Sequence, residues 1–287
     1  MSGSRLFEKM ARDPRHFQIL ILSSLIVLQS AGSDFGPEVP VILLSLGGCL
    51  FFQTLFSKIF RVRFDFRSPL ISGMSLSILL KASSLWFFAL GALIVVGSKF
   101  LIRFRGKHLF NPTNLAIVVL TLLFPSVVWI SPGQWGQGVW LAFFLCCAAL
   151  LVLYQIPRRD MGPMFFLMWM GALFGRALWL GDPLSIPLHQ MQNGALLIFC
   201  FFMISDPKTI PNRFAGRVVF GLLVALIAYV IQFGFYRTDG LMIALAAGCL
   251  FTPLIDFLLP GTAYQWGDRI QKHNKHKEAK LCIHPTS

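Results

Sequence analysis

The sequence predicts an all-α polytopic membrane protein. About ten transmembrane elements are expected, arranged as an inverted 5+5 repeat with short half-helices. Three observations carry this expectation. Of 287 residues, 56% are hydrophobic and 13% charged, and mean hydropathy is +0.70, whereas an average soluble domain carries about 25% charged residues. Apolar runs recur at the length a hydrocarbon layer of roughly 30 Å requires, about 20 residues. The basic residues, apart from Lys81, Arg176 and Arg237, fall in alternate connections.

The runs are Phe17 to Ala31, Val39 to Phe56, Pro69 to Leu80, Ser84 to Ile102, Pro112 to Phe124, Val139 to Ile156, Pro163 to Leu180, Asn193 to Ser205, Val218 to Phe235 and Gly240 to Leu259. Three are too short to cross comfortably (69–80, 112–124, 193–205), and each opens on Pro or Asn beside other polar residues. The domain plan is a basic cytoplasmic arm (1–16), a first five-element repeat (17–138), a second, inverted repeat (139–260) and a cytoplasmic tail (261–287).

Nearly all of the 25 Lys and Arg lie in the arm, in stretches 58–67, 99–107, 158–159 and 208–217, and in the tail. Loops 32–38, 126–138 and 181–192 hold none. If all ten elements cross, the basic stretches share one side, so the positive-inside rule places both termini in the cytoplasm of a bacterial inner membrane. The net charge of +13 then faces anionic lipid headgroups rather than nucleic acid. The first run has a long charged lead and no small-residue cleavage site, which argues that it is retained. The six cysteines lack metal-ligand spacing and read as packing residues, and no metal site is expected. The tail, with His273, His276, Cys282 and His284, reads as a solvated end.

Element three ("SPLISGMSLSILL") corresponds to element eight ("QNGALLIFCFFMIS"), and element five ("NPTNLAIVVLTLLFP") to element ten ("TDGLMIALAAGCLFTPLID"). Five crossings per half invert the second copy. Inverted repeats with interrupted segments place a site at the repeat interface near the midplane. A helix that starts inside the membrane leaves its first N–H groups unpaired, at several kcal/mol each unless caps, water or ligand satisfy them. Asn111 or Thr113 can cap such a start, and Pro112 has no N–H to lose. The alternative is one full-length helix over 108–130 with its polar cluster at the headgroups.

A polar pathway would draw on His108, Asn111, Thr113, Asn114, Asp206, Thr209 and Lys81. Asp206 is either a helix terminus in a cytoplasmic loop or an ionisable group facing a cavity. Lys81 either snorkels or lines a vestibule with "GQWGQG" (133–138). Arg176 and Asp256 each either snorkel or pair inside the bundle. His189 and Asn193, in the charge-free loop "GDPLSIPLHQMQNG", are candidate ligand contacts, although a lone loop histidine is commonly just solvated. No nucleophile elbow, Walker loop, dinucleotide fingerprint or zinc signature is present.

At "GKHLFNPTNLAIVVLTLLFP", "NGALLIFCFFMISDPKTIPN" and "TDGLMIALAAGCLFTPLID", with the "SPLISGMSLSILL" segment, the chain resembles the RnfD/NqrB family. That family comprises RnfD, a membrane component of the Rnf complex, and NqrB, its counterpart in the sodium-pumping NADH:quinone oxidoreductase. The "SPGQWG" loop (131–136) also resembles the small stand-alone UnbU members. The resemblance implies a ten-helix inverted repeat similar to urea and ammonium channels. It also implies membership of a flavin-linked electron-transport complex coupled to ion or small-solute movement, with redox or membrane subunits as partners.

Family members carry FMN covalently on the threonine of an S-G-A-T-P-L loop. Here "GDPLSIPLHQ" offers Ser185, Pro187 and Leu188 to that pattern and has no threonine between 181 and 193, so covalent FMN is not expected at that place. A noncovalent flavin (FMN or riboflavin) near Ser185, His189 and Asn193 is the remaining option. The rival functions are a stand-alone solute channel or transporter on the same scaffold, and a membrane assembly or export subunit of a biosynthetic pathway.

Overall fold

A computed structural model describes residues 14–32, 36–131, 158 and 160–262, and among these the chain is mostly helical. The helices are α1 (Pro14–Gly32), α2 (Val39–Ile59), α3 (Arg67–Leu79), α4 (Trp86–Leu101), α5 (Pro112–Leu123), α6 (Met161–Leu180), α7 (Ser185–Met191), α8 (Gly194–Ile198), α9 (Phe214–Tyr229) and α10 (Gly240–Leu258). α8 runs on into a π-helical turn, Phe199–Met203, and α9 into another, Val230–Gly234. Among the described residues, four stretches are long and apolar enough to cross a membrane: α2, α6, α9 with its π turn, and α10. Shorter apolar helices are α4, α5 and α8 with its π turn. Residues 1–13 of the arm, the expected element 139–156, the 133–138 loop and the tail from 263 lie outside the described residues.

The described chain is mostly helical, as expected, and adds two short antiparallel ladders. β1 (Leu80–Ala82) pairs with β4 (Val128–Ile130), Leu80 opposite Ile130, and β2 (Arg103–Phe104) pairs with β3 (Lys107–His108). The first ladder explains how a short helix can suffice. α3 has 13 residues, about 20 Å of rise, and three extended residues advance about 10 Å more. Helix and strand together match the roughly 30 Å hydrocarbon layer. The extended residues lose their intrahelical partners, and the ladder to β4, with Ser131 N–H donating to Leu79 O at 2.8 Å, replaces those bonds.

α2 packs on α3 and α4, and α4 packs on α5. α6 packs on the π turn of α8 and on α9, and α9 lies along α10. The α5–α10 contact joins these two groups. Small residues set the closest approaches. A Cβ on Gly73 would sit 2.9 Å from the Ser45 carbonyl oxygen, and one on Gly162 only 2.6 Å from that of Cys200. Large apolar side chains such as Leu43, Phe51, Leu167, Leu226 and Phe257 point outward, as lipid-facing residues do when the solvent is hydrocarbon.

Gly162→Ala is expected to destabilise the protein by about 1–3 kcal/mol, the usual cost of overpacking, read as a lower unfolding temperature in detergent. Gly171→Ala, where a Cβ meets no atom within 4 Å, is expected to leave that temperature unchanged or raise it.

Candidate functional site

The candidate site is built where the chain turns back into the bundle after α4. The β2–β3 hairpin closes through Arg105 (φ 48°) and Gly106 (φ 80°), a two-residue turn with positive φ at both positions whose twist matches the flanking strands. From His108 the chain runs to Asn111, which is extended (φ −63°, ψ 121°) and caps α5, its Oδ1 accepting from Asn114 N–H at 3.2 Å. Pro112 follows at the first helical position, where a missing N–H costs nothing.

Both asparagines also reach the other group of helices. Asn111 Nδ2 donates to Met203 O at 3.2 Å, and Asn114 Nδ2 donates to Met242 O at 3.0 Å. The Cys249 thiol lies against the Asn111 backbone. α10 runs from 240 to 258; Asn114 meets its first turn at 242, whereas Asn111 meets its middle at 249, which sets the start of α5 level with the middle of α10. α5 therefore begins inside the bundle, and a single full-length helix over 108–130 is not formed. Thr113 is buried in the first turn.

The chain from 204 to 213 folds along the other half of α10. Thr252 Oγ1 donates to Thr209 O at 3.1 Å, and Thr209 Oγ1 donates to Asp206 O at 3.2 Å. Asn212 is the hub of this region. It donates to both Asp256 oxygens, from N at 2.7 Å and from Nδ2 at 2.9 Å. Its Oδ1 accepts from Lys107 Nζ at 2.7 Å and Arg158 Nη2 at 2.9 Å. Lys107 also pairs with Asp256 at 3.1 Å, and Arg158 reaches Pro207 O and Thr262 O. Asp256 thus pairs inside the bundle.

Asp206 accepts from Lys208 N–H at 3.1 Å, and none of the ion pairs among the described residues includes it. Burial raises its carboxyl above the usual range, partly countered by that bond and by the Lys208 and Lys99 charges. The His108 Nδ1 is buried without a partner. Burial, then the charges of Lys208, Arg103 and Lys99, push its pKa down from 6.5 to about 3, so the imidazole is neutral at pH 7. Beside this region, ahead of α3, Asp65 accepts from Arg67 N–H at 3.1 Å, Arg67 Nε at 2.9 Å and Arg15 Nη1 at 2.6 Å.

The structure therefore gathers His108, Asn111, Thr113, Asn114, Asp206 and Thr209 around the start of α5 and leaves the remaining candidates elsewhere. Lys81 sits in β1, beyond the far end of α3, and donates to Gly36 O at 3.2 Å. Arg176 pairs with Asp182 at 2.9 Å and lies 4.4 Å from the Phe233 ring centroid. Ser185 and His189 are exposed on the seven-residue α7, and Asn193 caps α8, its Oδ1 accepting from Ala195 and Leu196 N–H. All three lie at the opposite end of α8 from Met203. Ser185 is the one hydroxyl between 181 and 193, it is exposed, and the Asn193 acceptor is already engaged. These residues do not fit a flavin phosphate cradle. Among the described residues no cluster of His, Cys, Asp and Glu could hold a metal ion.

Sequence reasoning misses Asn212, Lys107, Arg158 and Lys99. Lys99 and Lys107 read there as parts of a basic loop. The usable signal is that Lys107 and Asp256 flank opposite ends of the corresponding elements five and ten.

Fold and site together define a polytopic helical membrane protein whose chain breaks inside the bundle. Residues 127–265 match the model of the NQR2, RnfD, RnfE family. Over 127 residues, 43% of this chain, it is 35% identical to the D subunit of the ion-translocating oxidoreductase complex of Klebsiella pneumoniae (strain 342). It is 34% identical over the same length to the proteins of that name from Escherichia coli (strain SE11) and Shigella sonnei (strain Ss046). The alignment covers 34% of each relative, so the chain spans about a third of the length of the curated relatives it matches. The "HLFNPTN" stretch and the "SPLISGMSLSILL" segment lie ahead of the matched residues.

Two outcomes follow for these residues. Asn111→Ser keeps a capping oxygen and loses the bond to Met203, whereas Asn111→Ala loses both. Unfolding in detergent is expected to rank wild type above Ser above Ala, the last step costing about 1 kcal/mol. Asp65 is partly buried; burial alone would raise its carboxyl, but the Arg67 and Arg15 contacts hold it at about 2 against 3.8. The folded pKa is the lower one, so its stabilisation is present above pH 3.8 and lost as pH falls toward 2. At a side-chain exposure of 33%, screening reduces it to about 1 kcal/mol. Asp65→Asn is expected to cost that amount at pH 6, with the gap closing by pH 2 in denaturant titrations.

Proposed function

We propose that this chain is an integral-membrane subunit of an electron-transport complex that couples electron flow to ion movement, working with partner redox subunits in a bacterial inner membrane. It would be a ten-element inverted repeat with both termini in the cytoplasm. The observation that carries the reading is the break at Asn111. A helix start inside an apolar bundle is tied by two asparagine side chains to Met203 and Met242 of the family-matching segment. The relatives' name, which makes each of them the D subunit of an ion-translocating oxidoreductase complex, supplies the class of activity.

The repeat is supported by the order of neighbours. α2 touches α3 and α4, and α4 touches α5; correspondingly, α6 touches the α8 turn and α9, and α9 touches α10. Each set also has a close backbone approach between its second and third elements, Gly73 against Ser45 in one and Gly162 against Cys200 in the other, although the glycine sits on the third element in the first set and on the second in the other. In this reading His108, Asn111, Asn114, Asp206 and Thr209 line the passage between the halves. Asp206 is the ionisable group within it, since its carboxylate has no ion-pair partner among the described residues. A flavin, if the chain holds one, is noncovalent.

The test is purification of the tagged chain from its native membranes, with a visible spectrum before and after denaturing precipitation. Redox partners in fixed stoichiometry are expected, with any yellow colour released on precipitation. Asp206→Ala is expected to lower electron-driven ion uptake into inverted vesicles at least tenfold at equal chain content. A colourless chain, purified alone, that itself speeds solute flux in liposomes would establish the stand-alone channel instead. Full uptake in Asp206→Ala would place that residue in an ordinary loop contact.

A further inference from the structure

The described part of α2 has four buried residues, Ser45, Cys49, Gln53 and Ser57, and all are polar or thiol-bearing. They recur every fourth position, so they form one stripe along a helix that is otherwise apolar. The stripe faces α3 and α4, on which α2 packs. Gly48 against Ala92, and Phe56 stacked on Phe100 at 5.5 Å, share one residue offset, so α2 and α4 run parallel in fixed register. In that register Lys99 lies level with Leu55. Helical side chains lean toward the N-terminus, so its ammonium is carried inward toward the turns of Gln53 and Cys49.

Lys99 is only 6% exposed. Its Nζ donates to Ser68 O at 3.4 Å, Ser68 Oγ at 3.0 Å and Ser72 Oγ at 2.9 Å, all neutral oxygens. None of the ion pairs among the described residues includes it. The titratable or charged groups acting on it are Cys49 from α2, Asp65 ahead of α3, Asp206 and Lys208 ahead of α9, and His108 from β3. Two acceptors on the α2 stripe have no partner: Ser45 Oγ, on a fully buried residue, and Gln53 Oε1, on a residue 8% exposed. A dry seam would leave both unpaired beside a buried cation, and polar interior sites of this kind are normally completed by water.

We infer that α2, α3 and α4 enclose a hydrated proton-exchange site, with Lys99 as the proton-binding group and Ser45, Cys49, Gln53, Ser68 and Ser72 as its walls. The site lies within residues 45–99, outside the family-matching segment, and does not depend on the reading of the passage between the halves. Its ligands are water and the proton.

Cys49 is a reporter already in place. In full-length chain with Cys146, Cys147, Cys200, Cys249 and Cys282 changed to Ala, reconstituted in proteoliposomes, Cys49 is probed with two thiol reagents. Neutral methyl methanethiosulfonate can arrive through lipid, whereas its negatively charged 2-sulfonatoethyl analogue needs water. The charged reagent is expected to modify Cys49 without denaturation. Lys99→Gln, which removes the cation that favours the thiolate, is expected to slow that reaction about tenfold at pH 7, while Lys99→Arg preserves it. The wild-type advantage over Lys99→Gln is expected to fall toward one as pH rises and Lys99 gives up its proton. Gln53→Leu is expected to exclude the charged reagent and leave the neutral one active. Modification by the neutral reagent alone, or only after denaturation, would overturn the water-filled seam. An advantage that is absent, or constant from pH 6 to pH 10, would overturn proton exchange at Lys99.

Discussion

A helix that starts in hydrocarbon has four N–H groups with no intrahelical acceptor and no water to take them. The rest of this structure follows from how the start of α5 meets that constraint. Asn111 supplies one acceptor and Pro112 removes one donor. The amide nitrogen of each asparagine side chain then donates to a carbonyl, Asn111 to Met203 on the α8 π turn and Asn114 to Met242 on α10. The residues that permit the break thus also fasten the two groups of helices together. An apolar substitute at Asn111 would leave the Asn114 N–H unpaired, and one at either asparagine would loosen that contact.

The same constraint operates at the other interruptions with different means. α3 ends short and its chain continues as a strand whose backbone groups are taken up by β4. α8 begins at Asn193, whose side chain accepts from two N–H groups, and continues as a π turn. The 204–213 segment has no regular partner. It is held by side chains instead: Thr252 on Thr209, Asp256 on Asn212, and Lys107 and Arg158 on the Asn212 oxygen. Charged residues here act mainly as anchors for irregular backbone. Asp206 stands apart because its only hydrogen-bond donor among the described residues is a backbone N–H of its own turn.

Much of this is legible in the sequence. The apolar runs locate the described helices, apart from the short α7, to within a few residues, and Asn-Pro before a short run identifies the start of α5, because capping and proline placement are local chemistry. The β1–β4 ladder is not legible: "LKA" and "VWI" are separated by 45 residues and two helices, and a three-residue strand leaves no periodic signal. Nor is the role of Asn212, which depends on Lys107, Arg158 and Asp256 converging from distant parts of the chain. Lys99 misleads for a physical reason. A lysine near a basic loop is normally solvated, and only the register of α2 against α4 turns this one inward. Of Ser185, His189 and Asn193, which the resemblance groups as ligand contacts, the last also caps α8.

The central claim is that α5 begins at the level of the middle of α10. Nitroxide depth measurement in bilayers, with single labels at Leu115, Leu250 and Leu258, tests it most directly. The account predicts that the Leu115 label lies at least as deep as the Leu250 label. A Leu115 label at the shallower depth of Leu258, near the headgroups, would contradict it.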